Sequence, residues 1–374
     1  MLLVVNTGSS SVKFRLFGLA LDLPLIAGGK VTDIGGNAVF KARKEGGADI
    51  KENLAAKTTH ESALAVILSW LDKNDLGGGR IAAAAHRIVH GGTRYDGPVL
   101  LDDPAMSYLR GLNTLAPLHQ PHNLAGVDIL AEKMPGVPQY GCFDTAFHKG
   151  HDPLFREFAL PESIRSRGVR RYGFHGLSYD WIVHSLKKDH PHLLQKRIVA
   201  AHLGNGSSLC AIRNGQSVDT TMGMTALDGL PMGTRSGALD AGAVLYMIRD
   251  MGLGVDDVER VLYEESGLKG LSGLTNDAKA LSESDNPKAA FALAYYALKA
   301  AQHIASMSVS IGGMDALIFT GGIGENAADV RDAILSHLSF LPAFEHHIIP
   351  ANEERSMAME ILEALKKEIN QTQE

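Results

Sequence analysis

The chain has 374 residues, 45% of them hydrophobic, and a formal net charge of −6. That length suits two domains with sizeable cores, and the acidic balance offers nucleic acid no general attraction, so an anionic substrate must be held by local cations. Cys142 and Cys210 are too few for a disulfide framework and lack metal-site spacing. No run approaches the roughly eighteen apolar residues of a membrane span, and the short apolar start lacks a charged flank and a cleavage site. A soluble cytoplasmic protein with no nucleic-acid or membrane partner is expected.

In chain order, residues 1–17 read as a hairpin: an apolar run from Leu2 to Val5, the turn Asn6-Thr7-Gly8-Ser9-Ser10-Ser11, and a second strand from Val12 to Phe17. Residues 24–50 read as further strands. Leu64, Ile67, Leu68 and Leu71 mark a helix over 60–73 that closes at Gly77-Gly78-Gly79. A small-residue strand from Ile81 to Val89 follows, with Arg87 near its end before Gly91 and Gly92. That arginine either faces a cleft or is a surface charge beside a turn. Leu115 to Asn123 form a proline-bounded loop leading into a helix over 123–133, and Asp144 follows an apolar strand.

The second half opens at about Phe155. Arg171-Tyr172-Gly173-Phe174-His175-Gly176 leads into a helix containing Trp181, Ile182 and Leu186. A strand over 198–203, the turn Gly204-Asn205-Gly206-Ser207-Ser208 and a strand from Leu209 to Ile212 repeat the opening hairpin. Arg235 sits in a loop flexed by Gly233 and Gly237. Residues 255–265 and 287–310 read as helices, the second Ala-rich and buried. Ala316 to Thr320 form a strand, and Gly321-Gly322-Ile323-Gly324-Glu325-Asn326 open a helix over 327–337. The last element is an amphipathic helix over 352–369 with Met357, Ile361, Leu362 and Leu365 inward.

The two Gly-Ser-Ser turns carry the chemistry. Glycine lets backbone approach a ligand closely, and successive turn N–H groups with serine hydroxyls make a nest for anions. Each turn alone could be an ordinary hairpin loop; two, each after an apolar strand, point to a duplicated phosphate-binding element. Neither has Walker spacing and neither opens a helix, which excludes a P-loop and a Rossmann fingerprint. A glycine turn between a strand and a helix, as at 321–326, suits a phosphate or a nucleoside.

The stretches VVNTGSSSVKF, AHRIVHGG, LAPLHQPHN, CFDTAFH, RRYGFHGLSY, HLGNGSSLCAI, DTTMGMTALDGLPMGTRSG, GLTNDAK, FTGGIGEN and ANEE, in that order over residues 2 to 354, resemble the acetate and propionate kinase family of the actin, sugar-kinase and Hsp70 superfamily. The resemblance implies an α/β protein of two duplicated ribonuclease-H-like domains with an interdomain nucleotide cleft, and a homodimer. It places one domain at 1–150, completed by a helix at 355–374. The other, at 151–354, is the nucleotide-binding and dimerisation domain. The implied reaction moves the ATP γ-phosphoryl directly to acetate, giving acetyl phosphate and ADP, with magnesium as the metal and manganese as its substitute. Propionate or butyrate is the alternative acceptor, and a non-catalytic ATP switch is the alternative from another class.

By the same resemblance, Arg87 and Arg235 hold the acceptor carboxylate and the transferring phosphoryl, a role that suits a planar, permanently charged guanidinium. His175 stabilises the phosphoryl and must donate an N–H to do so. Asp144 is the catalytic carboxylate; acetate is already ionised near neutral pH, which leaves Asp144 to positioning and metal rather than base chemistry. Asn6 and Glu353 match the metal positions, although Glu353 also reads as a helix N-terminal charge. Ser9, Ser11, Lys13 and the turn His202-Leu203-Gly204-Asn205-Gly206 would handle phosphates. Asp277, Ala278, Lys279 and Gly321, Gly322, Ile323, Gly324, Glu325 and Asn326 would hold the adenosine. Val89, Leu118, Phe174 and Ala226 would line the acyl pocket. His119, His148 and His202 could each be a cleft or a core histidine.

Three departures from the family pattern stand out. Lys279 replaces an arginine that would stack on adenine, which opens the base preference. Ala226 replaces a proline, which opens the acyl preference. The chain is also somewhat short, so trimmed peripheral loops are expected.

Overall fold

The computed structural model describes residues 1–77 and 80–372, so Gly78 and Gly79 of the expected helix stop, and residues 373 and 374, lie outside the described residues. The chain divides into two compact units, one of Met1–Ala146 with the segment from Asn352 onward, the other of Phe147–Ala351.

The first unit is built on eight strands: β1 (Leu2–Thr7), β2 (Ser11–Phe17), β3 (Leu25–Thr32), β4 (Val39–Lys44), β5 (Ile50–Asn53), β6 (Ala83–Ile88), β7 (Val99–Leu100) and β8 (Gln139–Phe143), in the order β5-β4-β3-β2-β1-β6-β8-β7. β1 to β5 form an antiparallel meander, while β1, β6 and β8 run parallel. Parallel strands need crossovers that cover the sheet. The helices His60–Lys73 and Gln120–Lys133 supply them. Thr59 caps the first through a reciprocal pair with Ser62, and Ala63, Leu64, Ile67, Trp70 and Leu71 form its buried stripe. That helix ends at Asn74, before Gly77. The second starts at Gln120 rather than 123, because Pro121 is pre-organised for a first helical turn. The last helix, Glu353–Thr372, packs on β1 and β6 through buried Met357, Ala358, Ile361 and Leu362, with Leu365 half-buried.

The second unit repeats the plan. Its strands β9 (Arg197–Leu203), β10 (Ser207–Arg213), β11 (Gln216–Thr220), β12 (Ala316–Thr320) and β13 (Glu345–Ile348) lie in the order β11-β10-β9-β12-β13. The first three are antiparallel, and β9, β12 and β13 are parallel. This matches β3-β2-β1-β6-β8 strand for strand, the two-domain α/β fold expected. The helix Pro287–Ser310 buries an alanine-rich stripe, including Ala289, Ala292, Ala300 and Ile304, while Phe291 and Val309 on other faces stay exposed. Residues 255–265 are helical, the last five as a π turn.

The glycine stretch at 321–326 differs from expectation, since it is itself a short helix rather than a turn before one. Gly321 takes φ +80°, and a Cβ there would lie 2.7 Å from the Leu203 carbonyl oxygen, so only glycine lets β12 turn that closely over β9.

Three buried histidines tie the units' stability to pH. His86 donates to Gln139 Oε1 at 2.7 Å, and burial pulls its pKa down to about 4. His148 and His151 both contact Ser217 Oγ, and burial lowers them to about 4 and about 3. Unfolded histidine titrates near 6.5, so the unfolded chain binds more protons below that pH. The stabilisation is complete above pH 6.5 and is lost as the pH falls towards 4. Denaturant midpoints should therefore fall between pH 6.5 and 4, by on the order of 1 kcal/mol per pH unit for each histidine. His86→Asn should flatten the slope; an unchanged slope would contradict the assignment.

Candidate active site

In the first unit the parallel register of β6 and β8 sets Arg87 opposite Cys142 and Ile88 opposite Phe143, so Arg87 and Asp144 emerge at the same end of the sheet. Arg87 Nε donates to both Asp144 oxygens at 3.0 and 3.2 Å, and Nη2 donates to Oδ2 at 2.7 Å. Its Nη1 donates to Glu353 Oε2 at 2.8 Å, from the first turn of the last helix. The Arg87 side chain is 19% exposed and that of Asp144 2%. Burial works against the Arg87 charge, but Asp144 and Glu353 more than offset it and hold the guanidinium above its ordinary value. Burial pushes the Asp144 carboxyl up, Arg87 pulls it down, and Glu353 adds to the upward push. A permanently charged guanidinium with three contacts keeps Asp144 ionised.

The loop after β6 is held by the helix Gln120–Lys133. Gln120 accepts from the His90 N–H and donates to its carbonyl, both at 3.0 Å. Asn123 accepts from the Val89 N–H at 3.0 Å and donates to the Thr7 carbonyl at 2.6 Å. Asn123 therefore ties the acyl-pocket candidate Val89 to the strand carrying Asn6. Leu118 is half-buried just before this helix. Across the first hairpin Asn6 pairs with Lys13, and the turn closes by Gly8 N–H to Ser11 carbonyl at 2.8 Å. His60 Nε2 donates to the Gly8 carbonyl at 2.7 Å, while Ser9 and Lys13 are exposed and Ser11 is half-buried.

In the second unit His175 begins the helix Gly176–Asp189 in the left-handed region, φ 58° and ψ 23°. That region is uncommon for a residue other than glycine, although histidine enters it more readily than most. Its Nδ1 lies 2.9 Å from Ser208 Oγ, in the strand after the glycine turn. The ring stacks on His202 at 4.2 Å between centroids, and His202 Nδ1 in turn meets Ser178 Oγ at 2.8 Å. His202 thus buttresses His175, whereas His148 is a core histidine whose Nε2 meets the carbonyl of buried Phe174 at 2.9 Å. Arg235 Nη1 donates to the Ala226 carbonyl at 3.1 Å, and its guanidinium carbon lies 6.0 Å from the Tyr263 ring centre. Two candidates read separately are thereby joined.

A cavity of about 800 Å³ opens beside the glycine turn, lined by Gly204, Asn205, Asp277, Ala278, Lys279, Gly322, Ile323 and Asn326 among others. Leu203, Gly206, Gly321, Gly324 and Glu325 do not line it. Glu325 Oε1 accepts from the N–H groups of Gly321 and Ala351 at 3.0 and 2.9 Å and so holds the loop. Asp277 caps its helix by accepting from the Lys279 N–H at 2.9 Å. Asn276, Ser282, Glu283 and Ala327 complete the wall and were not foreseen. Asn276 is fixed by its bond to Asn205 Oδ1 at 2.8 Å.

A family model described as the acetokinase family matches residues 1–357. The chain belongs to that family. An acetate kinase from Rhodopseudomonas palustris is 41% identical over 345 residues, covering 91% of this chain and 86% of that protein. The crystal structure of a propionate kinase from Francisella tularensis superposes with a TM-score of 0.89 at 32% identity, covering 96% of this chain and 98% of that one. That of an acetate kinase from Porphyromonas gingivalis gives 0.85 at 30% identity, with 97% and 99% covered.

For an acetokinase, the acidic end of the first unit fits a hard cation. Asp144 and Glu353 share one guanidinium, and Glu354 adds a further charge beside it. Among the described residues no cluster of three or more His, Cys, Asp or Glu could enclose an ion. Asn123 and Gln120 were missed as positioning residues. Gln120 lay in the expected loop, and the backbone groups that both amides bind are distant in the chain.

Removing Arg87 would leave two partly desolvated carboxylates facing each other. Arg87→Ala should therefore lose about 3–5 kcal/mol of stability, the scale for breaking one side of a buried pair. Arg235→Ala, which removes the Ala226 carbonyl bond and the contact with the Tyr263 ring, should lose less, about 1–2 kcal/mol. Equal losses in chemical denaturation would show that Arg87 has no such structural burden.

Proposed function

We propose that this acetokinase transfers the γ-phosphoryl of ATP directly to acetate, reversibly, giving acetyl phosphate and ADP. The observation that carries this reading is a guanidinium already held by carboxylates at a sheet end, in a chain of the acetokinase family. Arg87 takes the acceptor carboxylate, with Asp144 fixing its orientation through both oxygens. Arg235 and His175 donate to the transferring phosphoryl, whose transition state spreads charge over its equatorial oxygens. The N–H groups and hydroxyls at 8–13 and 204–208 hold phosphates. The cavity walled by Asp277, Lys279 and Ile323 holds the nucleoside. Mg²⁺ at Asn6 and Glu353 would neutralise phosphate charge when bound. Cys142 and Cys210 are both buried and not joined in a disulfide, which suits a reducing cytoplasm.

Trapping the product with hydroxylamine tests the reading. Acetyl hydroxamate should form from acetate and Mg-ATP. Arg235→Ala should lower kcat by on the order of 10²–10³-fold with the KM for ATP little changed, and Glu353→Gln should raise the magnesium requirement. Ala226 leaves the acyl pocket wider than proline would, so propionate should be used, with acetate preferred by about 10–200-fold at most. Ala226→Pro should depress propionate use more than acetate use, and Val89→Ala should do the reverse. A propionate-to-acetate ratio fixed in both variants would remove these residues from the pocket.

The helix Ala241–Arg249 supports a homodimer. None of its residues is buried, and Leu245, Tyr246, Met251 and Val255 on and beside it are 48%, 59%, 57% and 70% exposed. An exposed apolar patch of that kind marks a surface that another protein covers. Sedimentation should show a dimer at micromolar concentration and a monomer for Leu245→Glu with Tyr246→Glu; a monomeric parent chain would refute it.

A further inference from the structure

A histidine that donates to a phosphoryl oxygen from one ring nitrogen needs its proton kept there. Ser208 Oγ lies 2.9 Å from His175 Nδ1 and 2.5 Å from the Tyr179 hydroxyl, and neither Ser208 nor Tyr179 has any exposed surface. The His202 backbone N–H acts as a donor to the Tyr179 oxygen, while burial keeps the phenol protonated well above its ordinary pKa. Three arrangements of the protons are available. If Nδ1–H donated to Ser208 and Ser208 to Tyr179, the phenol proton would have no acceptor. If Nδ1–H and Tyr179 both donated to Ser208, the buried serine proton would have none. Only the sequence Tyr179 to Ser208 to Nδ1 places every proton.

We infer that Tyr179 and Ser208 are positioning residues whose hydrogen-bond line fixes His175 in the tautomer with its proton on Nε2. That nitrogen borders the glycine turn, since a Cβ built on Gly206 would stand 3.3 Å from it. The line also gives the left-handed His175 backbone a purpose: it aims one ring nitrogen at buried Ser208 and the other at the turn. The functional part of the inference rests on the phosphoryl-binding role proposed for His175. The tautomer itself does not.

The experiment is ¹⁵N NMR of the full chain labelled at histidine, with the His175 signals assigned by their loss in His175→Gln. The parent chain should show protonated Nε2 and acceptor Nδ1 at neutral pH. Ser208→Ala should shift His175 towards a mixture of tautomers and lower kcat for acetyl phosphate formation by about 10-fold, the worth of one lost hydrogen bond, with KM values little changed. Tyr179→Phe should move both readouts in the same direction, and Ser208→Thr should restore them. A proton on Nδ1 in the parent chain, or an unchanged tautomer in Ser208→Ala, overturns the inference. Absence of acetyl phosphate formation by the parent chain would instead refute the proposed function, with the tautomer still read independently.

Discussion

The first unit depends on one guanidinium. Arg87 bonds to Asp144, 57 positions later in the chain, and to Glu353, 266 positions later. It thereby locks two parallel strands and the first turn of the last helix into one arrangement. Taking such charges out of water costs several kcal/mol per ion, and only near-ideal geometry offsets it. The Arg87 contacts meet that condition, with both Asp144 oxygens engaged. In the proposed role, Arg87 would meet an incoming carboxylate from a position these contacts have already fixed.

The second unit solves a related problem with neutral groups. Behind its glycine turn, buried Ser208 contacts both His175 Nδ1 and the Tyr179 hydroxyl. Ser207 Oγ donates to the Gly204 carbonyl at 2.9 Å and meets Tyr296 at 2.8 Å, so the turn is braced from below as well. Such networks hold shape only when each proton has a place, and this one is built into a hairpin that the first unit also uses.

Much of this was legible because it obeys local rules. Both hairpins announced themselves by an apolar run, a Gly-Ser-Ser turn and a second run. Arg87 and Asp144 were marked by strand ends, the helix at 60–73 by the spacing of its leucines and isoleucine, and that at 287–310 by its alanine-rich apolar run. What escaped lacked an apolar signature. β13 is a half-exposed edge strand of sequence Glu-His-His-Ile, and β7 has two residues. The helix at 241–249 is the exception: its nine residues are apolar almost throughout, and so short an apolar run is not told from a strand by periodicity. Gln120 and Asn123 act through backbone groups brought near by the parallel crossover, a proximity no local pattern encodes. Gly321 turned inside a helix because of the Leu203 carbonyl, a neighbour about 120 positions away in the chain.

The central claim is that a carboxylate oxygen of the acceptor becomes bonded to the phosphorus transferred from ATP. Incubating the protein with Mg-ATP and acetate labelled with ¹⁸O in its carboxylate, and reading acetyl phosphate by ³¹P NMR, tests it most directly. The account predicts one ¹⁸O bridging carbon and phosphorus, seen as an isotope shift of the acyl phosphate resonance. Acyl phosphate without bridging label, or conversion of ATP to ADP and unlabelled phosphate alone, would contradict it.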